Sequence, residues 1–202
     1  MGSNYVKMRD QARELFLARD MDEMIAKWNL ESDEGALYAP YFGDRLRIDR
    51  NSAAISLVGE GYPSRDWINE TMVLFDLLTL APARPRASGR WASVSTLGGI
   101  IGAGHERNLS HERDAAKFAG KTEALAEACR RLGGIPAGKA DAGFQIPVFR
   151  DFHIWFQFWD EDDEFPASIR YLFDENALRY MHYETLWYVM GSTMERLEYY
   201  LR

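Results

Sequence analysis

Residues Gly143 to Asp174, GFQIPVFRDFHIWFQFWDEDDEFPASIRYLFD, constrain this chain more than any other stretch. A β-strand turns successive side chains to opposite faces, so a period of two marks a sheet with two unlike sides. Ile154, Phe156 and Phe158 share one face, while His153, Trp155, Gln157 and Trp159 share the other. Ile169, Tyr171 and Phe173 repeat the pattern after a polar break, and Phe144, Ile146 and Val148 do so before it. Aromatic and branched runs split by turn residues predict a three-strand antiparallel meander. Pro147 has no N–H to give a ladder, which puts the first strand at an edge or ends it there.

The flanks read mainly as helices. Tyr5, Met8, Ala12, Leu15 and Phe16 follow helical spacing up to about Arg19. Asp20 and Glu23 then have the spacing of a capping box for a second helix with Met24, Ile25 and Trp28 on its buried side. Residues 36–59 change to strand texture, with turn signals at Gly43-Asp44 and Arg50-Asn51. Ser64 offers an N-cap to a helix from Arg65 to about Leu80, which Pro82 stops. Trp91 to Leu97 reads as a strand, followed by helices over Ser110–Ala119 and Lys121–Leu132 and a closing helix from about Tyr183 to Leu201. A chain of 202 residues is long enough for one well-buried core. The expected architecture is a single α+β domain whose central antiparallel sheet includes the meander at about 143–174, packed with the N-terminal, middle and C-terminal helices. The alternative is two lobes divided near Ala87.

Charge and cysteine content narrow the function classes. A formal net charge of −7 argues against nucleic acid and anionic membranes, because phosphate neutralisation needs a surplus of Lys and Arg. No apolar run approaches the roughly 20 residues that cross a bilayer, and MGSNYVKMRD carries no signal-peptide apolar region. Cys129 is the single cysteine, so the chain alone builds no disulfide, thiolate zinc site or iron–sulfur cluster. Those features suit the cytoplasm. They leave a protein partner or a homodimer open.

The most specific chemical feature is the acidic run Asp160-Glu161-Asp162-Asp163-Glu164. In a turn, two or three of its carboxylates can converge on a hard cation such as Ca²⁺ or Mg²⁺, with Asp160, Asp163 and Glu164 as ligand candidates. The plainer reading is a solvated turn that keeps a hydrophobic hairpin from pairing edge to edge. Phe165 is expected to tuck beneath the hairpin, with Asp163 or Glu164 capping backbone N–H groups or pairing with Arg170 while Glu161 and Asp162 face water. His153 and His105 are further ligand candidates, the latter near His111 with Glu106 and Glu112 beside them, but the spacing fits no H-E-x-x-H pattern because Leu109 stands where the second histidine belongs. The run GGIIGAGH, Gly98 to His105, fails the dinucleotide fingerprint at Arg107. Beside Arg84, Arg86, Arg90 and Arg107 its backbone would suit an anion, and otherwise it is a turn. Ser93, Ser95, Ser110 and Cys129 are nucleophiles by residue type only, and no cofactor signature is evident.

Several stretches together resemble the bacterial and archaeal domain-of-unknown-function family numbered 3786, found largely in anaerobes. They are Gly133-Gly134, Gln145-Ile146-Pro147, Phe158-Trp159-Asp160 with Asp163-Glu164-Phe165-Pro166-Ala167, Leu172-Phe173-Asp174 and Tyr183-Glu184-Thr185-Leu186. Weaker echoes lie at Asp20 to Ala26, at Phe42-Gly43 with Leu46 to Ile48, and at Gly89 to Ser93 leading to Leu97-Gly98-Gly99. The chain departs from the family pattern at Phe75-Asp76 and at Val94-Ser95-Thr96. The resemblance implies a non-catalytic accessory or binding role in anaerobic metabolism and lends no catalytic residue. The competing expectation is a divalent-metal-dependent, hydrolytic enzyme that uses the acidic turn with His153 or His105.

Overall fold

Two helices open the chain in the computed structural model, which describes residues 4–82, 86–98 and 109–201. In α1 (Asn4–Leu17) the ring of Phe16 is fully buried and stacks on Phe75 with centroids 4.3 Å apart. The carboxylate of Asp20 accepts the N–H groups of Asp22 and Glu23 at 2.9 and 3.1 Å, the N-cap expected for α2 (Met21–Trp28).

Residues 31–57 then form a sheet of their own rather than extending the meander. β1 (Glu31–Ser32), β2 (Ala36–Tyr41), β3 (Asp44–Asp49) and β4 (Ile55–Leu57) pair in that order, all antiparallel. The β2–β3 turn is Phe42-Gly43, with φ of 50° and 84°. A type I′ turn needs positive φ at both positions, which glycine takes freely and phenylalanine does not. Phe42 is held there by a buried ring and by its N–H, which donates to the Val148 carbonyl of the second sheet at 3.1 Å.

The middle helix starts later than expected. Trp67 adopts a left-handed backbone (φ 59°), so α3 runs Ile68–Leu80 rather than from Arg65, and Ser64 Oγ caps the Trp67 N–H at 3.3 Å. The strand expected to reach Leu97 also stops early. β5 is Trp91–Ser93, and Ser93 Oγ accepts the N–H of Thr96 at 3.3 Å, turning the chain into α4 (Val94–Gly98). α5 (Leu109–Ala116) and α6 (Thr122–Arg131) follow, and the second ends where Gly133 takes a left-handed φ of 78°.

β6 (Ile135–Pro136), β7 (Ala142–Phe149), β8 (Phe152–Trp159) and β9 (Ser168–Asp174) complete a five-stranded antiparallel sheet in the order β5-β9-β8-β7-β6. The meander is as the alternation predicts. β6 reaches only Phe144 and Gln145, so Pro147 falls where no neighbour needs its missing N–H, and the register slips between Pro147 and Phe149. A 3₁₀ turn (Ala177–Arg179) leads into α7 (Thr185–Tyr200). Seven α-helices and two antiparallel sheets among the described residues make an α+β fold. One hydrophobic cluster joins Leu46 and Ile48 of the first sheet, Leu74 and Leu77 of α3, Phe144, Phe156 and Phe173 of the second sheet, and Leu186 of α7. No described helix is long and apolar enough to cross a membrane.

Candidate functional site

The two faces of the five-stranded sheet have different fates. Phe144, Ile146, Ile154, Phe156, Phe158 and Phe173 are buried in the core. The opposite face holds Gln145, His153, Trp155, Trp159, Leu172, Trp91 and Ser93, all half-exposed, with Trp155 registered against Gln145 on one side and Leu172 on the other. Trp91 and Trp155 meet edge to face at 5.6 Å, and Trp155 is anchored by its Nε1–H, which donates to the Ala137 carbonyl at 3.3 Å.

A cleft of about 600 Å³ opens on this face, walled by Arg86, Trp91, Gln145, Asp151, His153 and Asp174. Each wall has a local cause. The β7–β8 turn is Arg150-Asp151, with Arg150 at φ 46° and its guanidinium donating to the Asn29 carbonyl at 2.7 Å, which carries Asp151 to the rim. His153 places Nδ1 3.0 Å from the Asp151 carbonyl. A carbonyl only accepts, so Nδ1 holds a proton, and in the neutral ring it is Nε2 that keeps the lone pair. Asp174 accepts four hydrogen bonds: the Ser88 and Gly89 N–H groups at 3.0 and 2.8 Å, the Ser88 hydroxyl at 3.0 Å and the Asn176 N–H at 2.8 Å. Burial works to raise its pKa, but those N–H donors outweigh it and hold the carboxyl below the usual range. The Arg86 carbonyl accepts from Asn176 Nδ2 at 3.2 Å and from the Tyr180 hydroxyl, which fixes the backbone and leaves the guanidinium at the surface. Arg90 is committed elsewhere, with Nε 2.6 Å from Glu175 Oε2. Trp91 also walls a second cleft of about 530 Å³ with Ser93, Thr96, Arg170 and Leu172.

A family model described as a domain of unknown function (DUF3786) matches residues 20–196. The chain belongs to that family. The match begins after α1 and takes in every strand of both sheets. No curated protein and no solved structure matches the chain.

The β8–β9 connection carries the acidic run, and its acids do not converge. Asp160 accepts the Gly120 N–H at 3.0 Å and the Thr122 hydroxyl at 2.8 Å, tying the hairpin to the start of α6. The Gly120 N–H bond, with that of the Thr122 hydroxyl, holds the Asp160 carboxyl below its usual range. Asp162 accepts the N–H groups of Glu164 and Phe165, both at 2.8 Å, and these lower its pKa too. The capping acids are therefore Asp160 and Asp162, where the sequence suggested Asp163 or Glu164; the latter two are exposed. Arg170 lies over the Trp159 ring at 5.6 Å. Phe165 does not tuck under the hairpin: it is 66% exposed, because the tight Asp162–Phe165 turn aims it outward. Among the described residues no three His, Cys, Asp or Glu side chains form a metal-holding group. His105, Arg84 and Arg107, with the rest of the glycine run after Gly98, lie outside the described residues.

Sequence reasoning missed the strongest electrostatic arrangement in this DUF3786 chain. Arg196 of α7 is 0% exposed and donates from Nη2 to Glu70 Oε1 of α3 at 2.9 Å, with Asp44 3.7 Å from its Nε. Ser64 Oγ donates to the other Glu70 oxygen at 2.9 Å. The rings of Tyr62, Tyr41 and Phe42 surround the guanidinium at 4.6, 4.8 and 5.2 Å, a cation–π enclosure for the edge that no carboxylate uses. Burial pushes the Tyr62 hydroxyl up to about 12 and raises Asp44. Gly61 is required here, since a Cβ would stand 2.3 Å from Asp44 Oδ1. The available signal was Glu70 itself, a charge inside the apolar helix INETMVLFDLLTL.

Proposed function

We propose that the chain is a non-catalytic accessory protein that binds a small ligand in the cleft on the outer face of the five-stranded sheet. What carries this reading is the cleft's combination of size and lining. At about 600 Å³ it falls within the roughly 300–1,000 Å³ of small-molecule sites. Its wall pairs an aromatic plane, Trp91, with a few polar groups: Arg86, Gln145, Asp151 and the Nε2 of His153. The floor is pre-organised, because Asp174 and the Arg86 carbonyl are pinned by hydrogen bonds from elements on both sides. In keeping with the family resemblance, its setting is anaerobic metabolism in the cytoplasm, which suits Cys129, a buried thiol whose pKa burial raises.

The test is a thermal-shift screen of the full chain against small metabolites, repeated with Trp91→Ala and His153→Ala. A ligand at about 100 times its Kd stabilises the fold by roughly 2.7 kcal/mol. The expected result is a shift that the wild type shows and both variants lose while keeping their own unliganded transitions. A ligand whose shift survives both substitutions binds elsewhere and removes this cleft from the function.

A further inference from the structure

Resting on the reading of the outer cleft as a ligand site, we propose that its ligand is a free α-amino acid with an apolar or aromatic side chain. Charge and donor count both select it. Two opposite charges wall the same cleft, the Arg86 guanidinium and the Asp151 carboxylate, and among the described residues neither side chain has an ion-pair partner. The other charges nearby are spoken for: Asp174 by its four donors, and Arg90 and Glu175 by each other. A purely anionic ligand would answer Arg86 and be repelled by Asp151, and a purely cationic one would do the reverse. A zwitterion answers both.

The hydrogen-bonding inventory narrows the zwitterion further. An ammonium carries three N–H donors and no acceptor, and the cleft wall supplies three acceptors in Asp151, the free Nε2 of His153 and the side-chain carbonyl of Gln145. A quaternary ammonium would leave those acceptors unanswered. A carboxylate matches the planar fork of Arg86, which can grip both oxygens at once. The Trp91 ring, steadied by its contact with Trp155, then offers a flat apolar surface to the side chain. An α-amino acid is the smallest skeleton that carries an ammonium, a carboxylate and an apolar group together.

Three nearly isosteric probes separate the parts: L-phenylalanine, phenethylamine, which lacks the carboxylate, and 3-phenylpropionate, which lacks the ammonium. Calorimetric titration of the full chain is expected to show L-phenylalanine binding at least about tenfold tighter than either half, a difference of about 1.4 kcal/mol. Arg86→Gln should abolish its advantage over phenethylamine, and Asp151→Asn its advantage over 3-phenylpropionate. Both side chains are exposed, so the variants should keep the wild-type melting transition. Equal binding of all three probes, or an advantage that survives both substitutions, overturns the proposal. If none of the three binds but a sugar or nucleotide shifts the melt in a Trp91-dependent way, the cleft stands as a site and the amino-acid assignment falls. If no compound of any class does so, both fall together.

Discussion

Charge gathers at two places in this protein, on opposite terms. The acidic turn is five residues in a row, exposed almost throughout and used one carboxylate at a time to cap backbone. The Arg196 cluster draws on positions 44, 70 and 196, and its three side chains are at least nine-tenths buried. Adjacent like charges repel, so a contiguous run is stable mainly where water screens it. A buried charge must find its opposite, and the fold can bring that opposite from anywhere in the sequence. Conspicuous charge in the sequence therefore marked the weaker arrangement, and inconspicuous charge the stronger.

The largest expected effect tests that difference directly. Arg196→Met leaves the Glu70 carboxylate buried without its cation, and removing one partner of a buried pair costs about 3–5 kcal/mol. Urea unfolding of the variant should show a loss of that order, and adding Glu70→Gln should recover part of it. A loss below about 1 kcal/mol would mean that the buried guanidinium, with its ion pair and its ring contacts together, contributes little more than an apolar side chain of similar size.

The two clusters should also respond to pH with opposite sign. Burial raises Asp44, so its folded pKa lies above the unfolded value, and the stability it contributes is present at low pH and lost as pH rises through that raised value. N–H bonds lower Asp160 and Asp162, whose contributions are present above the ordinary carboxylate range and lost as pH falls below it. As pH rises above the ordinary carboxylate value of about 4, the wild type should therefore lose stability relative to Asp44→Asn, as measured by unfolding at a series of pH values. The opposite trend would show that Arg196 overrides the burial of Asp44.

Within the turn, Asp160 should matter more than its neighbours. Asp160→Ala removes the bonds to Gly120 and Thr122 and should cost about 1 kcal/mol, whereas Asp163→Ala and Glu164→Ala should each stay within about 0.5 kcal/mol. Thermal melts of the three variants decide the order. If Asp163→Ala or Glu164→Ala proves the costlier, the turn is held together differently, and a millimolar Ca²⁺ or Mg²⁺ series on the wild type becomes the measurement to make next.

How much of this was legible followed from how local each cause is. Period-two alternation is a property of neighbouring residues, so the meander and its buried face could be read directly, whereas β7, expected at an edge or to end at Pro147, lies inside β6 and runs on to Phe149. The Asp20 cap is equally local and held as expected. The errors came where distant contacts decided. Trp67 takes a left-handed backbone and delays α3, and that helix buries Thr71, Val73, Leu74 and Leu77 as well as Phe75 and Leu78, because α1 and α7 cover it from two sides. His153 and Arg86 could be named as candidates from residue type. Their meeting with Trp91, Gln145 and Asp151 depends on the register of four strands and on the loop that Asp174 holds.

The smallest expected effect concerns Phe165, where the sequence argument failed outright. A large ring in a polar turn was expected to hold the turn in one conformation from beneath, and its removal would then cost roughly 3 kcal/mol or more. Asp162 does that work instead: its carboxylate takes the Glu164 and Phe165 N–H groups, and its own N–H donates to the Phe165 carbonyl at 3.0 Å. The backbone closes without the ring, which stands 66% exposed. Phe165→Ala should therefore change stability by less than about 0.5 kcal/mol, while Asp162→Ala, which opens the turn, should be the more damaging of the two. Hydrogen exchange at the Glu164 and Phe165 amides gives the local reading: protection should survive in Phe165→Ala and vanish in Asp162→Ala. If the ring's loss exposes those amides instead, the ring rather than the Asp162 carboxylate holds the turn closed.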